Sequence, residues 1–186
     1  LKLGYEYEAL DNIEKFEDLS ELDGNLFAET AMQLARAGNI SKAKQLLSKA
    51  NAIDDSNSVN LLREGILKLQ SSDISGVAEL EAAIKNDETL NNSWLTIALA
   101  HLQNNDIKQA LASAEKWQQK SPENGLVLKG IIYYHDNKID QAIEALNAAL
   151  AIDPEHMGAQ MNLIRASMKN NNNNLAIKTA KNILNI

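Results

Sequence analysis

Along this chain apolar and polar residues alternate with a helical period. Through Val127–Tyr134 apolar residues recur at intervals of three and four, His135-Asp136-Asn137-Lys138 interrupts them, and the same period resumes from Ile139 to Ile152. Asp153-Pro154 then ends it, because proline disfavours helical backbone in the residue before it. The segment "GLVLKGIIYYHDNKIDQAIEALNAALAIDPEH" therefore reads as two helices and a stop. The strand-type alternation of Val, Ile, Thr and aromatic residues is missing.

The same pattern returns along the sequence. Small residues stand at Ala43, Gly76, Ala110, Ala142 and Ala176, spaced by 33, 34, 32 and 34 positions. Four positions after each comes Leu47, Leu80, Ala114, Leu146 or Ala180, and three further on comes Ala50, Ala83, Trp117, Ala149 or Ile183. One helix face is thus written five times. A small residue there lets two antiparallel helices approach closely, and the apolar residues a turn further on bury against the next pair.

This array resembles the tetratricopeptide repeat (TPR) family, whose period is ~34 residues. Trp94, Ile97, Ala98, His101, Ala110 and Pro122 fall on the family's positions in one unit, with His101 where tyrosine is usual. Gly130, Tyr133, Ala142, Leu146, Ala149 and Pro154 do so in the next. Departures are Lys129 at an expected Leu, Phe27 for Trp, and Gly76 for Ala in a unit whose first helix looks shifted by one residue. The resemblance implies an all-α fold of tandem antiparallel helix hairpins stacked in a right-handed superhelix. Its units run over about 24–56, 57–89, 90–122, 123–155 and 156–186 as one continuous array. Ala9 lies 34 residues before Ala43, and Ile13 and Phe16 take the places of Leu47 and Ala50, so 1–23 reads as the second half of a truncated unit. "AKNILNI" ends on an apolar face without a polar capping helix, and the sequence is expected to be a piece of a longer array.

Composition narrows the chemistry. The chain has 186 residues, 45% of them apolar, with two prolines, eight glycines and no cysteine, which suits a helical chain and removes disulfides and thiolate sites. No run approaches the ~20 apolar residues of a membrane span, so no membrane insertion of this segment is expected. Of the net charge of −7, eight acids against Lys2 and Lys15 place −6 in residues 1–23. Clustered Lys and Arg for nucleic acid are missing. His101, His135 and His156 come from three different units without the i, i+4 spacing that aims two imidazoles at one metal. No glycine-rich phosphate loop or nucleophile elbow occurs. The chain accordingly reads as non-catalytic, with no metal and no cofactor. Ser41, Ser75 and Ser121 read as caps or turn residues, and the asparagine run within Lys169–Ala176 as a lengthened polar turn.

In TPR arrays the first helices of successive units line a concave wall where partner peptides lie. Carried onto this sequence, the wall is Asn25, Ala28, Met32 and Ala35; Leu62, Ile66 and Leu69; Asn92, Leu95, Leu99 and Leu102; Asn124, Val127, Ile131 and Tyr134; and Met161, Arg165 and Met168. Its apolar character leaves two readings open: neighbouring helices cover these residues, or an apolar stripe faces a partner. The carboxylate clamp of some TPR proteins is missing, since Ala28, Met32, Leu62, Asn92 and Thr96 occupy its places. The resemblance implies a protein-interaction scaffold for a protein or peptide partner. Its alternatives are a self-associating segment, including a homodimer through exposed array ends, and a substrate-holding domain attached to an enzyme. The stretch "LKGIIYYHDNKIDQAIEALNAALAIDPEHMGAQMNLIRASMKNNN" is also similar to units of bacterial TPR lipoproteins associated with exosortase and PEP-CTERM sorting. That likeness implies a periplasmic or extracytoplasmic scaffold for polysaccharide export or protein sorting; without it the expected place is the cytoplasm.

Overall fold

The computed structural model describes residues 21–54 and 56–184. These hold ten α-helices and no strand. They pair as hairpins: α1 (Glu21–Arg36) with α2 (Ile40–Ile53), α3 (Ser58–Gln70) with α4 (Gly76–Asn86), α5 (Ser93–Gln103) with α6 (Ile107–Gln118), α7 (Pro122–His135) with α8 (Ile139–Ile152), and α9 (Met157–Lys169) with α10 (Asn173–Leu184). The chain divides into two compact units, 1–90 and 91–186. Residues 1–20, which carry the reading of a lone second helix, lie outside the described residues.

Each hairpin turns on one residue of positive φ: Gly38 (86°), Ser72 (60°), Asn105 (58°), Asn137 (60°) and Asn171 (56°). Left-handed backbone there reverses the chain, and the next N–H returns to the helix just ended. Asn39, Asp106, Lys138 and Asn172 each donate to the carbonyl five residues back at 2.8 Å, and Asp73 does so at 3.0 Å. The same loops begin the second helices, with Asn39, Asp106 and Asn172 accepting from the N–H of Lys42, Gln109 and Leu175. Ser75 and Ser121 stand at the N-cap positions of α4 and α7 as expected, without a side-chain cap bond, Ser121 directing its hydroxyl to Glu123 instead; Ser41 lies inside α2.

The asparagine run is not a lengthened turn. Residues 170–172 form a loop of the same length as 104–106 and 136–138, since Asn173 and Asn174 already belong to α10. Asn170 donates from its side chain to Asp140 at 3.0 Å, Asn171 is left-handed and Asn172 caps α10, so three consecutive asparagines fill three different roles.

In the first unit Phe27, Ala31, Leu34, Ala43, Leu46, Leu47, Ala50 and Leu67 form the core. Its second hairpin closes through two glycines. A Cβ on Gly76 would lie 2.4 Å from the Gly65 carbonyl oxygen, and one on Gly65 would lie 2.7 Å from that of Gly76. Gly76 therefore stands for alanine because α3 and α4 touch backbone to backbone at this level. Beside the crossing, Lys68 bridges Glu64 (3.0 Å) and Glu79, and Asn51 donates to Glu64. Burial pulls the Lys68 ammonium down, but the hydrogen bonds it donates to Glu79 and Glu64, and their charges, outweigh it and hold the group above the usual lysine value.

In the second unit Val127, Ala142, Leu146, Ala149, Ala159, Leu163 and Ala166 form the core across α7, α8 and α9. A Cβ on Gly130 would meet Leu146 at 2.6 Å, so glycine there is the socket for that leucine. Trp117 is buried and donates from Nε1 to Asn91 at 3.3 Å, and Lys116 lies 4.6 Å from the Trp94 ring centre.

Candidate functional site

Within the second unit the first helices of successive hairpins touch, α5 against α7 and α7 against α9, while no comparable contact joins α6, α8 and α10 to one another. In the first unit α1 likewise touches α3. Side chains on the face that these first helices share thus form a common surface within each unit. Residues three and four apart share that face. The expected wall residues of this unit are Leu95 and Leu99 on α5, Ile131 and Tyr134 on α7, and Met161, Arg165 and Met168 on α9.

Not all of these side chains reach the surface. Leu99 (40%), Met161 (45%) and Met168 (61%) are exposed, as are Asn92 and Arg165, and Leu95, Ile131 and Tyr134 are half-buried. Val127 is buried because α9 packs Ala159 and Leu163 against it, so it offers a partner almost nothing. In the first unit Asn25 is exposed and Met32, Leu62 and Ile66 are half-buried. Ala28 is fully enclosed in the core with Phe27 and Ala31, which removes it from any accessible wall. On the apolar helix α5, Trp94, Ile97, Ala98, Ala100 and Leu102 are covered, and Leu99 is not.

Asn124, expected on the wall, is engaged internally. His156 accepts the Ala159 N–H at Nδ1 (3.2 Å), which puts the imidazole proton on Nε2, and Nε2 donates to Asn124 Oδ1 (3.1 Å). Asn124 Nδ2 donates to Ser121 Oγ (2.7 Å) and Glu123 Oε1 (3.1 Å). The Ser121 hydroxyl, which donates to the same carboxylate, is the main cause holding Glu123 below the usual carboxylate range. The network ties the starts of α7 and α9 together. His101 is half-buried on α5 and His135 exposed at the end of α7, each apart from His156. Among the described residues no three histidine or carboxylate side chains gather into a metal-binding group, and no helix is long and apolar enough to cross a membrane.

A feature that sequence spacing missed is the pairing of α7 with α9 through Lys169, whose ammonium stands 4.7 Å from the centre of the Tyr134 ring. Arg165, one turn earlier, projects from the same side of α9.

A sequence model of the tetratricopeptide repeat matches residues 133–186, covering the end of α7 together with α8, α9 and α10. Solved structures extend the likeness over most of the chain. MamA from Desulfovibrio magneticus RS-1 superposes with a TM-score of 0.63 at 18% identity, over 87% of this chain and 93% of that one. The fold is a TPR array. A TPR protein from Parabacteroides merdae gives a TM-score of 0.65 at 12% identity, over 87% of this chain and 66% of its own. YrrB, a TPR protein with an unusual peptide-binding site, gives 0.55 at 15% identity, over 86% and 84%. Among proteins of curated function none matches in sequence. At 12–18% identity these likenesses are likenesses of fold.

Proposed function

We propose that the chain binds a peptide segment of a partner protein along its first-helix wall, and that in residues 91–186 the contact surface is formed by α5, α7 and α9. The observation that carries this is the exposure of Leu99, Met161 and Met168 on helices whose opposite sides are packed in the core. Apolar side chains left in water on successive, touching helices gain by being covered, and methionine adapts its shape to different partners. The peptide-binding site of YrrB, a protein of similar fold, supports a peptide as the partner class. The link to envelope export or sorting rests on the sequence resemblance alone.

Photocrosslinking tests this reading. A benzophenone side chain at position 99 should capture the partner, whereas one at Asn147, exposed on the second helix α8, should not. Equal capture from both positions, or undiminished partner binding by Leu99→Asp, overturns it. A second reading, self-association, is favoured by Ile177 (56% exposed) and Leu184 (65%) on α10, and the substrate-holding alternative has no such observation. Sedimentation of the parent chain and of Ile177→Asp separates self-association from binding at the wall: a dimer abolished by that substitution supports it.

A further inference from the structure

The charge around the wall in the second unit specifies the kind of peptide it suits, an inference that rests on the reading above. Residues 91–186 carry nine Lys and Arg against eight Asp and Glu, whereas residues 1–90 carry nine against seventeen. On the first helices α5, α7 and α9 the imbalance is larger. Their basic side chains are Lys129, Arg165 and Lys169, and their one acid is Glu123, whose carboxylate already takes hydrogen bonds from Ser121 and Asn124. Lys129 is paired with Glu115 at 3.7 Å. Arg165 is exposed between Met161 and Met168, and Lys169 rests on Tyr134 with its charge uncompensated by any acid of these helices.

From this we infer that the partner segment is an acidic, apolar peptide whose side-chain carboxylates face Arg165 and Lys169 while its apolar side chains cover Ile131, Met161 and Met168. A guanidinium one helical turn from an ammonium presents two donors of like charge, and a carboxylate between them satisfies both. A basic peptide would place like charge against both groups, and a neutral one would leave them without a counter-charge. The carboxylates are internal to the peptide, since the residues of a terminal-carboxylate clamp are missing from this chain.

The test uses the whole chain and three fluorescein-labelled dodecapeptides of leucine and glutamate, leucine and glutamine, and leucine and lysine, all acetylated and C-terminally amidated. Fluorescence anisotropy should show the glutamate peptide binding about fivefold more tightly than the glutamine peptide, and the lysine peptide more weakly still. Arg165→Glu, at an exposed site, should remove that preference while leaving the circular dichroism spectrum unchanged. Equal binding of all three peptides overturns the acidic partner and leaves the apolar wall standing. A glutamate preference that survives Arg165→Glu combined with Lys169→Glu also overturns it. Binding of none of the three overturns both this inference and the wall on which it rests.

Discussion

At the scale of single residues, backbone geometry decides which side chains are tolerated. Four of the five hairpin turns place Gly or Asn at the left-handed position, and Ser72 is the exception. Serine gains no local compensation in that conformation, so Ser72→Gly should stabilise the chain by about 0.5–1 kcal/mol, read as a higher midpoint in urea. Gly76→Ala should act the other way. Alanine is favoured in a helix by about 1 kcal/mol, but its Cβ would sit 2.4 Å from a backbone carbonyl that cannot move without separating α3 from α4. A net loss of about 2 kcal/mol is expected from chemical denaturation followed by circular dichroism. The sequence showed where the small residue belongs. It could not show that both partners at this crossing are glycine for the same contact, because Gly65 and Gly76 are related only by the packing of two helices.

At the scale of elements, stability lies in the turns and in one half-buried ionic bridge. Asp54 and Asp87 follow α2 and α4 and accept the hydroxyl and the backbone N–H of Ser56 and Thr89, and Asp73 is held by the side chain and the N–H of Ser75. Those hydrogen bonds hold all three carboxyls below the usual aspartate value. A depressed carboxyl stabilises the fold above its unfolded pKa of ~3.9 and loses that contribution as pH falls through its lower folded value. Replacing the three by alanine should therefore flatten the loss of thermal stability on acidification below about pH 4. Lys68→Met should leave Glu64 and Glu79 facing each other without their cation and lower stability by about 2 kcal/mol, measured by urea denaturation at neutral pH. Because Lys68 is raised, its contribution is complete below the unfolded value of ~10.4 and is lost as pH rises through the folded one. The i, i+4 spacing of Glu64 and Lys68 was legible in the sequence; Glu79 and Asn51 come from other helices and were not.

At the scale of the whole molecule, both tryptophans, Trp94 and Trp117, belong to the second unit, so their fluorescence reports that unit. Leu146 fills the socket left by Gly130 and is fully buried, so Leu146→Ala should cost about 3 kcal/mol, seen as a lower midpoint in fluorescence-detected unfolding. An unchanged fluorescence midpoint would show that the α7–α8 contact does not govern the stability of this unit. The candidate wall depends on the same scale. Its helices, their order and their facing stripes follow from a repeated spacing, but accessibility along each stripe varies from the enclosed Ala28 to the exposed Met168.

The sequence by itself determined the helices, their pairing into hairpins and the positions of the close approaches. Each of these depends on local periodicity, turn chemistry and residue size repeated at fixed intervals. Only the tertiary structure decided which wall residues reach solvent, that Asn124 is engaged by His156 and Ser121, and that Lys169 stands over Tyr134 while Arg165 projects beside it. Those outcomes depend on how one helix lies against the next. The spacing of residues along either helix does not contain that distance or angle.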